Sequence, residues 1–448
     1  MIENFGPIIK GEIELKPLTI FIGTNNSGKS YAAMLIHSLY RSFYRLGSPY
    51  TYHIFNHATR EKSIKIKGSF EREEDILEEG EEKILKHKEE ITRTAKEIMT
   101  EEIKNEIESS YSSTIDNLVR IGEKTFRIEM NQNSNMFVIE NSRNDLEVVK
   151  SPPVEIPDIR TIAKAVGGYG KTVYSLSFRL ADVLIVLFRE TFKEFSRPTH
   201  YLPASRSGIL QNYKALMSGI IESIPYMGLE RSNIPRLSKI VSDLVSTITD
   251  MSFKEGPLFR LACELEEEIL SGNIVMEGTG RYRYPEIKYE YMDTSIPLQR
   301  ASSTVSELAP LVLYLKYVIK PGDTLIIEEP ESHLHPQNQG ILAEYFVKLI
   351  KKDVNLIITT HSEFLLEKLS NFIMLSSIDE QKRIEKYGYT EFLQPEEISV
   401  YLFKPDEKDG NTIEGVEITK EGISQEEFLR VHESLYDETY KLRMDIGD

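Results

Sequence analysis

The first part of the chain alternates between apolar and charged residues as strands do, with Ile13 and Leu15 set among charged neighbours. A short apolar run, Leu18–Ile22, then predicts a buried strand. A polar, glycine-containing loop separates it from residues 30–44, where apolar positions recur at helical spacing. The opening of the chain therefore predicts a strand, a loop and a helix in that order.

Strand-like and helix-like patterns alternate along the rest of the chain. Short strands are predicted over 124–149, 324–328, 354–359 and 398–403, a hairpin over 273–292, and helices over 172–194, 304–319, 337–351, 363–370 and 425–443. Residues 209–270 are mostly helical in pattern, with breaks near Pro225, Pro235 and Pro257. Strands that alternate with helices favour a largely parallel sheet, so we expect an α/β fold into which helical material is inserted.

Residues 71–90 show the strongest shift in composition, with ten acidic residues against four basic ones. From this segment onwards an apolar residue recurs at every seventh position, at Leu77, Ile84, Ile91 and Ile98. Most of the intervening positions that a coiled coil would need are polar, and Gly80 interrupts the pattern. The pattern predicts an amphipathic helical insertion that ends near Leu118. Its acidic run fits either a solvated helix face or a docking arm for a partner.

The composition of the 448 residues is that of a globular protein, with 40% hydrophobic residues. The formal net charge of −17 argues against a protein whose whole surface grips nucleic acid, although a local basic groove stays open. A single cysteine, Cys263, excludes an internal disulfide framework and a multi-cysteine zinc site. No apolar run approaches the roughly 18–20 residues of a membrane span, and the start lacks the features of a signal peptide. We expect a cytoplasmic protein without membrane insertion.

The loop after the first buried strand carries candidate chemistry. Residues 23–30 read GTNNSGKS and match the phosphate-loop pattern G-x-x-x-x-G-K-[ST] at every fixed position. In a loop of this pattern the backbone N–H groups would wrap a phosphate, Lys29 would place a charge on the β and γ oxygens, and Ser30 would offer a hydroxyl to Mg²⁺. An accidental glycine turn is the alternative, but a strand precedes the loop and a helix follows it. The candidate nucleotide-binding residues here are Gly23, Asn25, Asn26, Ser27, Gly28, Lys29, Ser30 and Tyr31.

A second apolar strand, 324–328, ends in two adjacent carboxylates, Glu328 and Glu329. Two charges at the end of a buried strand are costly unless the molecule uses them. A magnesium nucleotide would use both, with Glu328 orienting the water shell of the Mg²⁺ and Glu329 accepting a proton from the attacking water. The alternative is a strand that simply runs into a polar loop.

Several motifs taken together resemble a known family. Residues 328–337, EEPESHLHPQ, look like the extended acidic motif of ATPases with the ABC-type head, and more closely like its OLD-like and SMC-like branch. Residues 359–362, TTHS, follow the next strand, where that family carries its switch histidine. Residues 301–308, ASSTVSEL, lie where the family keeps its signature, and the opening 5–8, FGPI, also fits. The resemblance covers 1–45 and roughly 200–448.

This resemblance implies an ABC-type P-loop ATPase head with a mainly parallel core sheet, an antiparallel side sheet and inserted helical lobes. It also implies a homodimer, or a higher homo-oligomer, in which ATP and Mg²⁺ lie between one protomer's phosphate loop and the other's signature. Ser302 and Ser303 would then bind the nucleotide across the dimer, and His361 would contact the γ-phosphate. Thr304 departs from the family, because a glycine usually stands there. A lone histidine is otherwise most often structural.

Other residues in these motifs leave alternatives open. His333 and His335 suggest either a metal site or, more simply, a loop that contacts the dimer partner. Arg206, in the segment 201–206 that reads YLPASR, either reaches a phosphate, fixes the helical lobe or makes an ion pair. No glutamine loop is evident after the phosphate loop.

The motifs divide the chain into parts. We expect residues 1–70, 125–208 and 273–448 to form the ATPase head, 71–124 to form the acidic helical insertion, and 209–272 to form a helical lobe.

Function is inferred from this resemblance by analogy. Only 87 residues follow His361 (448 − 361), and they suffice for the last strands and helix of the head, so we expect no nuclease domain in this chain. Stand-alone heads of this kind occur in the anti-phage systems PARIS and Septu, which implies an ATPase that controls a separate effector, a nuclease or toxin. An SMC-like ATPase of DNA repair, in contact with DNA, is the alternative, although long heptad arms and a zinc hook are missing. The altered signature argues against a transporter subunit.

Overall fold

The structure is a computed structural model. It describes residues 1–48, 63–67, 81–82, 84–133, 135–142, 145–152, 156–158, 160–162, 175–223, 237–278, 285–407 and 409–447. Four sequence predictions fall in whole or in part outside these residues: the first half of the acidic run (71–80), the start of the helix predicted over 172–194, the breaks at Pro225 and Pro235, and the turn of the predicted hairpin.

At the start of the chain, a strand, a loop and a helix follow one another in the order that the sequence predicts. The strands are β1 (Ile2–Phe5), β2 (Ile8–Gly11), β3 (Leu18–Gly23), β4 (Ser63–Lys67), β5 (Arg127–Gln132), β6 (Asn135–Ser142), β7 (Asp145–Lys150), β8 (Ser175–Arg179), β9 (Thr199–Leu202), β10 (Asn273–Glu277), β11 (Glu286–Tyr291), β12 (Thr294–Pro297), β13 (Thr324–Glu328), β14 (Asn355–Thr359), β15 (Ile398–Asp406), β16 (Gly410–Gly415), β17 (Ile418–Thr419) and β18 (Gly422–Ile423).

The helices cover both faces of the main sheet. They are α1 (Lys29–Leu46), α2 (Lys88–Tyr111), α3 (Leu180–Thr191), α4 (Arg206–Ser223), α5 (Lys239–Thr249), α6 (Phe259–Leu265), α7 (Ser303–Tyr317), α8 (Pro336–Ile350), α9 (Glu363–Leu375), α10 (Glu380–Lys382) and α11 (Glu426–Gly447). Short turns of 3₁₀ helix lie at Ile115–Leu118, Leu298–Arg300 and Pro395–Glu397, and turns of π helix at Glu266–Leu270 and Arg383–Tyr387. None of the described helices is long and apolar enough to cross a membrane.

In the part of the chain that the structure describes, eleven strands form one sheet, in the order β7-β6-β5-β1-β2-β16-β15-β3-β14-β13-β9. The strands from β15 to β9 pair in parallel and form the core. Beyond β15 the pairings are antiparallel, except that β16 and β2 run parallel. The predicted fold class is confirmed, and the antiparallel strands extend the edge of the core sheet.

Alternate residues of the central strands face two hydrophobic clusters, because successive side chains of a strand point to opposite sides. Phe21, Ile326 and Ile357 face the cluster that contains α1, α2 and α3. Their neighbours Ile20 and Ile327 face the cluster that contains α4 to α9. Helices on both sides explain why these strands read as continuous apolar runs in the sequence.

Helix α2 belongs to the core. The prediction of a helix in this segment is confirmed over Lys88–Tyr111. Ile91, Ile103 and Ile107 of α2 are fully buried, and they lie in the same cluster as α1. Burial of each such side chain stabilises a fold by about 1.5–3 kcal/mol, so removal of this helix would expose a large part of the core.

Two other elements differ from the sequence prediction. Residues 12–16 form no strand, because hydroxyl groups replace a strand partner: Tyr401 Oη accepts a hydrogen bond from the Glu14 N–H at 2.6 Å, and Ser399 Oγ donates one to the Glu14 carbonyl. The predicted helix 172–194 is shorter than expected. Its first described part, β8, pairs instead with β4, and the helix begins at Leu180.

Candidate functional site

The loop between β3 and α1 has a backbone that requires glycine at both ends. Gly23 has a φ of 136° and Gly28 a φ of 104°, which residues with a Cβ rarely adopt. A Cβ on Gly23 would overlap the carbonyl oxygen of Phe403, and one on Gly28 would lie 3.0 Å from side-chain atoms of Pro7 and Ile8. The two glycines therefore let the loop turn tightly against β15 and the β1–β2 turn.

Lys29 is the first residue of α1, and only 7% of it is exposed. Its Nζ donates hydrogen bonds to the carbonyl oxygens of Gly23 at 2.9 Å and Thr24 at 2.8 Å. Burial lowers the pKa of Lys29 below its usual value, while the carboxylates of Glu329 and Glu331 raise it. The loop thus holds the ammonium group of Lys29 against the carbonyls of its first two residues.

The start of α1 suits an anionic group. Its first turn contains no acidic residue, and Gly28 provides no side-chain cap. The first N–H groups of a helix have no partner within the helix, and this end carries a partial positive charge. Among the described residues, the buried Ser27 Oγ has no hydrogen-bond partner either. Unpaired donors and a lysine ammonium in one loop fit phosphate oxygens.

A cavity of about 840 Å³ opens over this loop. Nine predicted site residues line it, namely Asn25, Asn26, Ser27, Gly28, Lys29, Ser30, Tyr31, Glu329 and His361. Thr359, at the end of β14, also lines it. The strand ends of the parallel core thus place the acidic strand, the histidine and the phosphate loop around one space, as expected for a parallel sheet.

Glu329 follows β13 directly and extends into the cavity. Its backbone has a φ of 42°, and its side chain is 43% exposed. Ser332 Oγ donates to Glu329 Oε2 at 3.3 Å, and His361 Nε2 lies 4.0 Å from Oε1. Burial and then Lys29 lower the pKa of His361, although Glu329 and Glu331 raise it. A neutral imidazole and an accessible carboxylate therefore lie side by side.

Glu328 has the opposite environment. It is buried, and both carboxylate oxygens accept hydrogen bonds, from Tyr201 Oη at 2.6 Å and from the Ala204 N–H at 3.0 Å. Burial and the nearby Glu328 carboxylate raise the pKa of Tyr201 well above its usual value. Glu328 is not among the described residues that line the cavity. Sequence analysis assigned no role to Tyr201, although it singled out the segment 201–206 in which Tyr201 lies.

The candidate signature lies outside this cavity. Ser302 and Ser303 are exposed at the start of α7, and neither is among the described residues of the cavity wall. Ser302 Oγ accepts the Val305 N–H at 3.3 Å and so caps the helix. Thr304 Oγ1 donates to the carbonyl of His333 at 3.0 Å, which joins the signature to the acidic loop.

Glu331 is a second residue that sequence analysis did not assign. Its Oε1 accepts hydrogen bonds from Thr360 Oγ1 at 2.7 Å and from the His361 N–H at 2.8 Å. It therefore holds the turn that carries His361. Its position within the acidic motif 328–337 is the sequence feature that could have identified it.

The cavity wall also includes Asn117, within the 3₁₀ turn after α2, and Val119, Arg120 and Ile121, which follow that turn. These residues fall within the range 71–124 that was expected to form the insertion. The N–H of Gly6 donates to the Leu118 carbonyl at 2.7 Å, which joins this segment to the residue that follows β1.

The alternatives for the remaining polar residues can be compared with the structure. Arg206 is buried and makes an ion pair with Glu307, and it is not among the described residues of the cavity wall. His335 Nδ1 accepts the Gln337 N–H at 3.3 Å and caps α8. Among the described residues, no group of three or more His, Cys, Asp or Glu side chains could hold a metal ion.

A phosphate loop at the end of a central parallel strand, facing the carboxylate of the next strand but one, defines the class of P-loop ATPases. The AAA ATPase domain family matches the chain over residues 1–366, and the chain belongs to this family. No curated protein matches it.

Three solved structures are similar to the chain. One is an SmcHead bound to the C-winged helix domain of ScpA, at 11% identity, 93% coverage of this chain, 97% of that chain and a TM-score of 0.42. Another is an Smc head domain with an extended coiled coil, bound to the C-terminal domain of ScpA from Pyrococcus furiosus. It has 11% identity, 97% coverage of this chain, 98% coverage of that chain and a TM-score of 0.40. The third is the SMC head domain from Thermotoga maritima, with 13% identity, 93% coverage of this chain, 97% coverage of that chain and a TM-score of 0.35.

Proposed function

We propose that this chain is a Mg²⁺-dependent ATPase whose heads close on ATP as a homodimer or higher homo-oligomer, and that it controls a separate effector in anti-phage defence. The observation that carries the ATPase proposal is the cavity, which brings Lys29, the start of α1, Glu329 and His361 together. Membership of the AAA ATPase domain family supports the same reaction.

The residues around the cavity suggest a division of labour. Lys29 and the N–H groups at the start of α1 would bind the β- and γ-phosphates. Glu329, the accessible carboxylate, would accept the proton of the attacking water. His361 would contact the γ-phosphate, and the bonds of Glu331 would hold that histidine in place.

The same residues fit a magnesium ion in part. Ser30 presents an exposed hydroxyl to the cavity, and a bound Mg²⁺ would supply positive charge that neutralises the phosphates. Both oxygens of Glu328 already accept hydrogen bonds, so its support to the metal would be through oriented waters.

Ser302 and Ser303 support the proposal of a head-to-head dimer by their position. They are exposed and lie apart from the cavity of their own chain, so they are free to meet the cavity of a second copy. The resemblance of the motifs to stand-alone heads supports the separate effector and the defence role.

The ATPase and the assembly can be tested together. Wild-type protein should release phosphate slowly from ATP with Mg²⁺, and Glu329→Gln should bind ATP and form an assembly larger than the monomer only in its presence. Light scattering with ATP and with ADP gives the size. Glu414→Gln, an exposed carboxylate on β16, is the matched control and should behave as wild type. No change of size with ATP would contradict the proposed closure.

The effector is tested by affinity purification of the chain together with the product of the neighbouring gene. An ATP-dependent complex supports control of an effector. Strong stimulation of hydrolysis by DNA, without such a complex, would favour the SMC-like role in repair. Cleavage of plasmid DNA by the purified chain alone, unchanged in Glu329→Gln, would show a nuclease site in this chain and overturn the proposal.

A further inference from the structure

Arg206 is the first residue of α4, and its side chain is among the largest that are fully buried, with 1% exposure. A buried guanidinium is costly unless its N–H groups are bonded. Arg206 Nη2 lies 2.8 Å from Glu307 Oε1, and Nε donates to the Glu307 carbonyl at 3.2 Å. One end of the guanidinium is thus joined to α7.

The other end is joined to the acidic strand. Arg206 Nη1 donates to the carbonyl of Glu328 at 2.6 Å, and Nη2 donates to that of Glu329 at 3.2 Å. Glu329 has a left-handed backbone, which costs free energy for any residue with a Cβ. Its N–H is held by the Thr359 carbonyl at 2.9 Å. Arg206 and Thr359 therefore fix both sides of the residue whose carboxylate extends into the cavity.

Glu307 stands little more than one turn after Ser302 and Ser303 on α7. The start of that helix is also bonded to the acidic loop, through Thr304 and His333. A displacement of α7 would consequently move the Arg206 guanidinium and, with it, the backbone of Glu329.

We propose that Arg206 is a positioning residue that couples the two nucleotide sites of the head dimer. It links the helix that meets the partner's nucleotide, through Glu307, to the backbone that orients Glu329 over the chain's own nucleotide. This inference rests on the proposed function, since it requires two heads closed on ATP. Occupancy of one site then changes the rate of hydrolysis at the other.

Two variants and a control distinguish coupling of the nucleotide sites from a contribution of Arg206 to folding stability alone. Arg206→Lys keeps the charge but replaces the planar fork of donors by a compact ammonium. The double variant Arg206→Met with Glu307→Leu removes both charges, and such replacements of buried ion pairs are often neutral in stability. Arg383→Lys is the matched control, because Arg383 is also buried and donates to backbone carbonyls, those of Leu375 and Ile378.

The affinity for a fluorescent ATP analogue and the rate of hydrolysis against ATP concentration are measured for each variant. We expect unchanged affinity, a kcat at least about tenfold lower and a Hill coefficient near 1 for the two Arg206 variants, against a value above 1 for the wild type and Arg383→Lys. Wild-type kcat and Hill coefficient in either folded Arg206 variant would overturn the coupling, and so would a Hill coefficient of 1 in the wild type. If the wild type did not bind the ATP analogue, the proposed function itself would be refuted.

Hydrogen exchange on the wild type needs no substitution at Arg206. When ATP is added, the backbone amides of Glu328, Glu329 and Glu331 should gain protection together with those of 303–307. Protection of 303–307 alone would overturn the proposal.

Discussion

The two ends of α1 differ in what surrounds them. The first turn, with Lys29 and Ser30, borders the open cavity and has no acidic residue. The later turns carry Arg41 and Arg45, which form ion pairs with the buried Glu106 of α2, each at 2.9 Å. Arg41 also pairs with Asp243 of α5 at 2.6 Å. We call the first turn of α1, with Lys29 and Ser30, its chemical end, and the later turns, with Arg41 and Arg45, its structural end.

The difference lies in the distance along the chain between each basic side chain and its bonding partners. At the chemical end, Lys29 bonds within one contiguous loop, to the carbonyls of Gly23 and Thr24. The structural end uses partners 61 positions from Arg45 and 202 positions from Arg41. Changes at the first end should therefore alter the reaction with little effect on stability, and changes at the second should do the reverse.

The largest effect is expected at the cavity carboxylate. Glu329→Gln should lower the hydrolysis rate by about 10²–10⁴ while ATP still binds, because an amide keeps the shape and loses the base. Its melting temperature should stay near that of the wild type. Glu328→Gln is the contrasting variant and should lower the melting temperature, since its NH₂ group would face the donors of Tyr201 or Ala204. Wild-type hydrolysis in Glu329→Gln would move the base to another residue.

Lys29→Ala should weaken ATP binding by about 10²–10³, because it removes charge-assisted hydrogen bonds of about 1.5–3 kcal/mol each. Isothermal titration with ATP and Mg²⁺ measures this. Lys404→Ala, an exposed lysine on β15, is the control and should bind as wild type. Equal affinity in the two variants would refute the assignment of the phosphate loop.

At the structural end, Glu106→Ala should lower the free energy of unfolding by about 2–3 kcal/mol, because two arginines lose their buried partner. The kcat of the folded fraction should not change. Urea unfolding and the hydrolysis rate are compared with those of Glu97→Ala, which changes an exposed carboxylate of the same helix. A large loss of kcat with little loss of stability would show that the two ends are not separate.

His37 lies on α1 between these two ends and allows a test by pH. Burial in the first place, together with the nearby Arg41, His200 and Lys239, lowers its pKa to about 3. The unfolded chain, with a pKa near 6.5, therefore binds a proton that the folded chain does not, so stability is lost as the pH falls from about 6.5 towards 3. Between pH 7 and 5 this amounts to about 2 kcal/mol.

The variant His37→Phe should lose that part of the pH dependence. Urea unfolding at pH 7 and pH 5 measures it for both proteins, with the exposed His432→Phe as the control. An equal loss of stability in His37→Phe and the wild type would assign the acid sensitivity to other groups.

The amino-acid sequence determined the parts of this protein that depend on neighbours along the chain. The glycines and Lys29 of the phosphate loop form a contiguous pattern, and apolar runs predicted β3, β13 and β14 within a residue or two of their observed bounds. These features follow from backbone geometry and hydrophobic periodicity over short spans, which is why they can be read without the fold.

Only the tertiary structure decided which charged groups are buried and which are accessible. Glu328 and Glu329 are adjacent in sequence, yet one is enclosed by Tyr201 and the other opens into the cavity. Arg206 shows no sign in the sequence of its ion pair with Glu307, and the acidic composition around α2 concealed a helix that packs into the core. Burial and ion pairing depend on contacts between residues far apart in the chain, and a local pattern carries no information about those contacts.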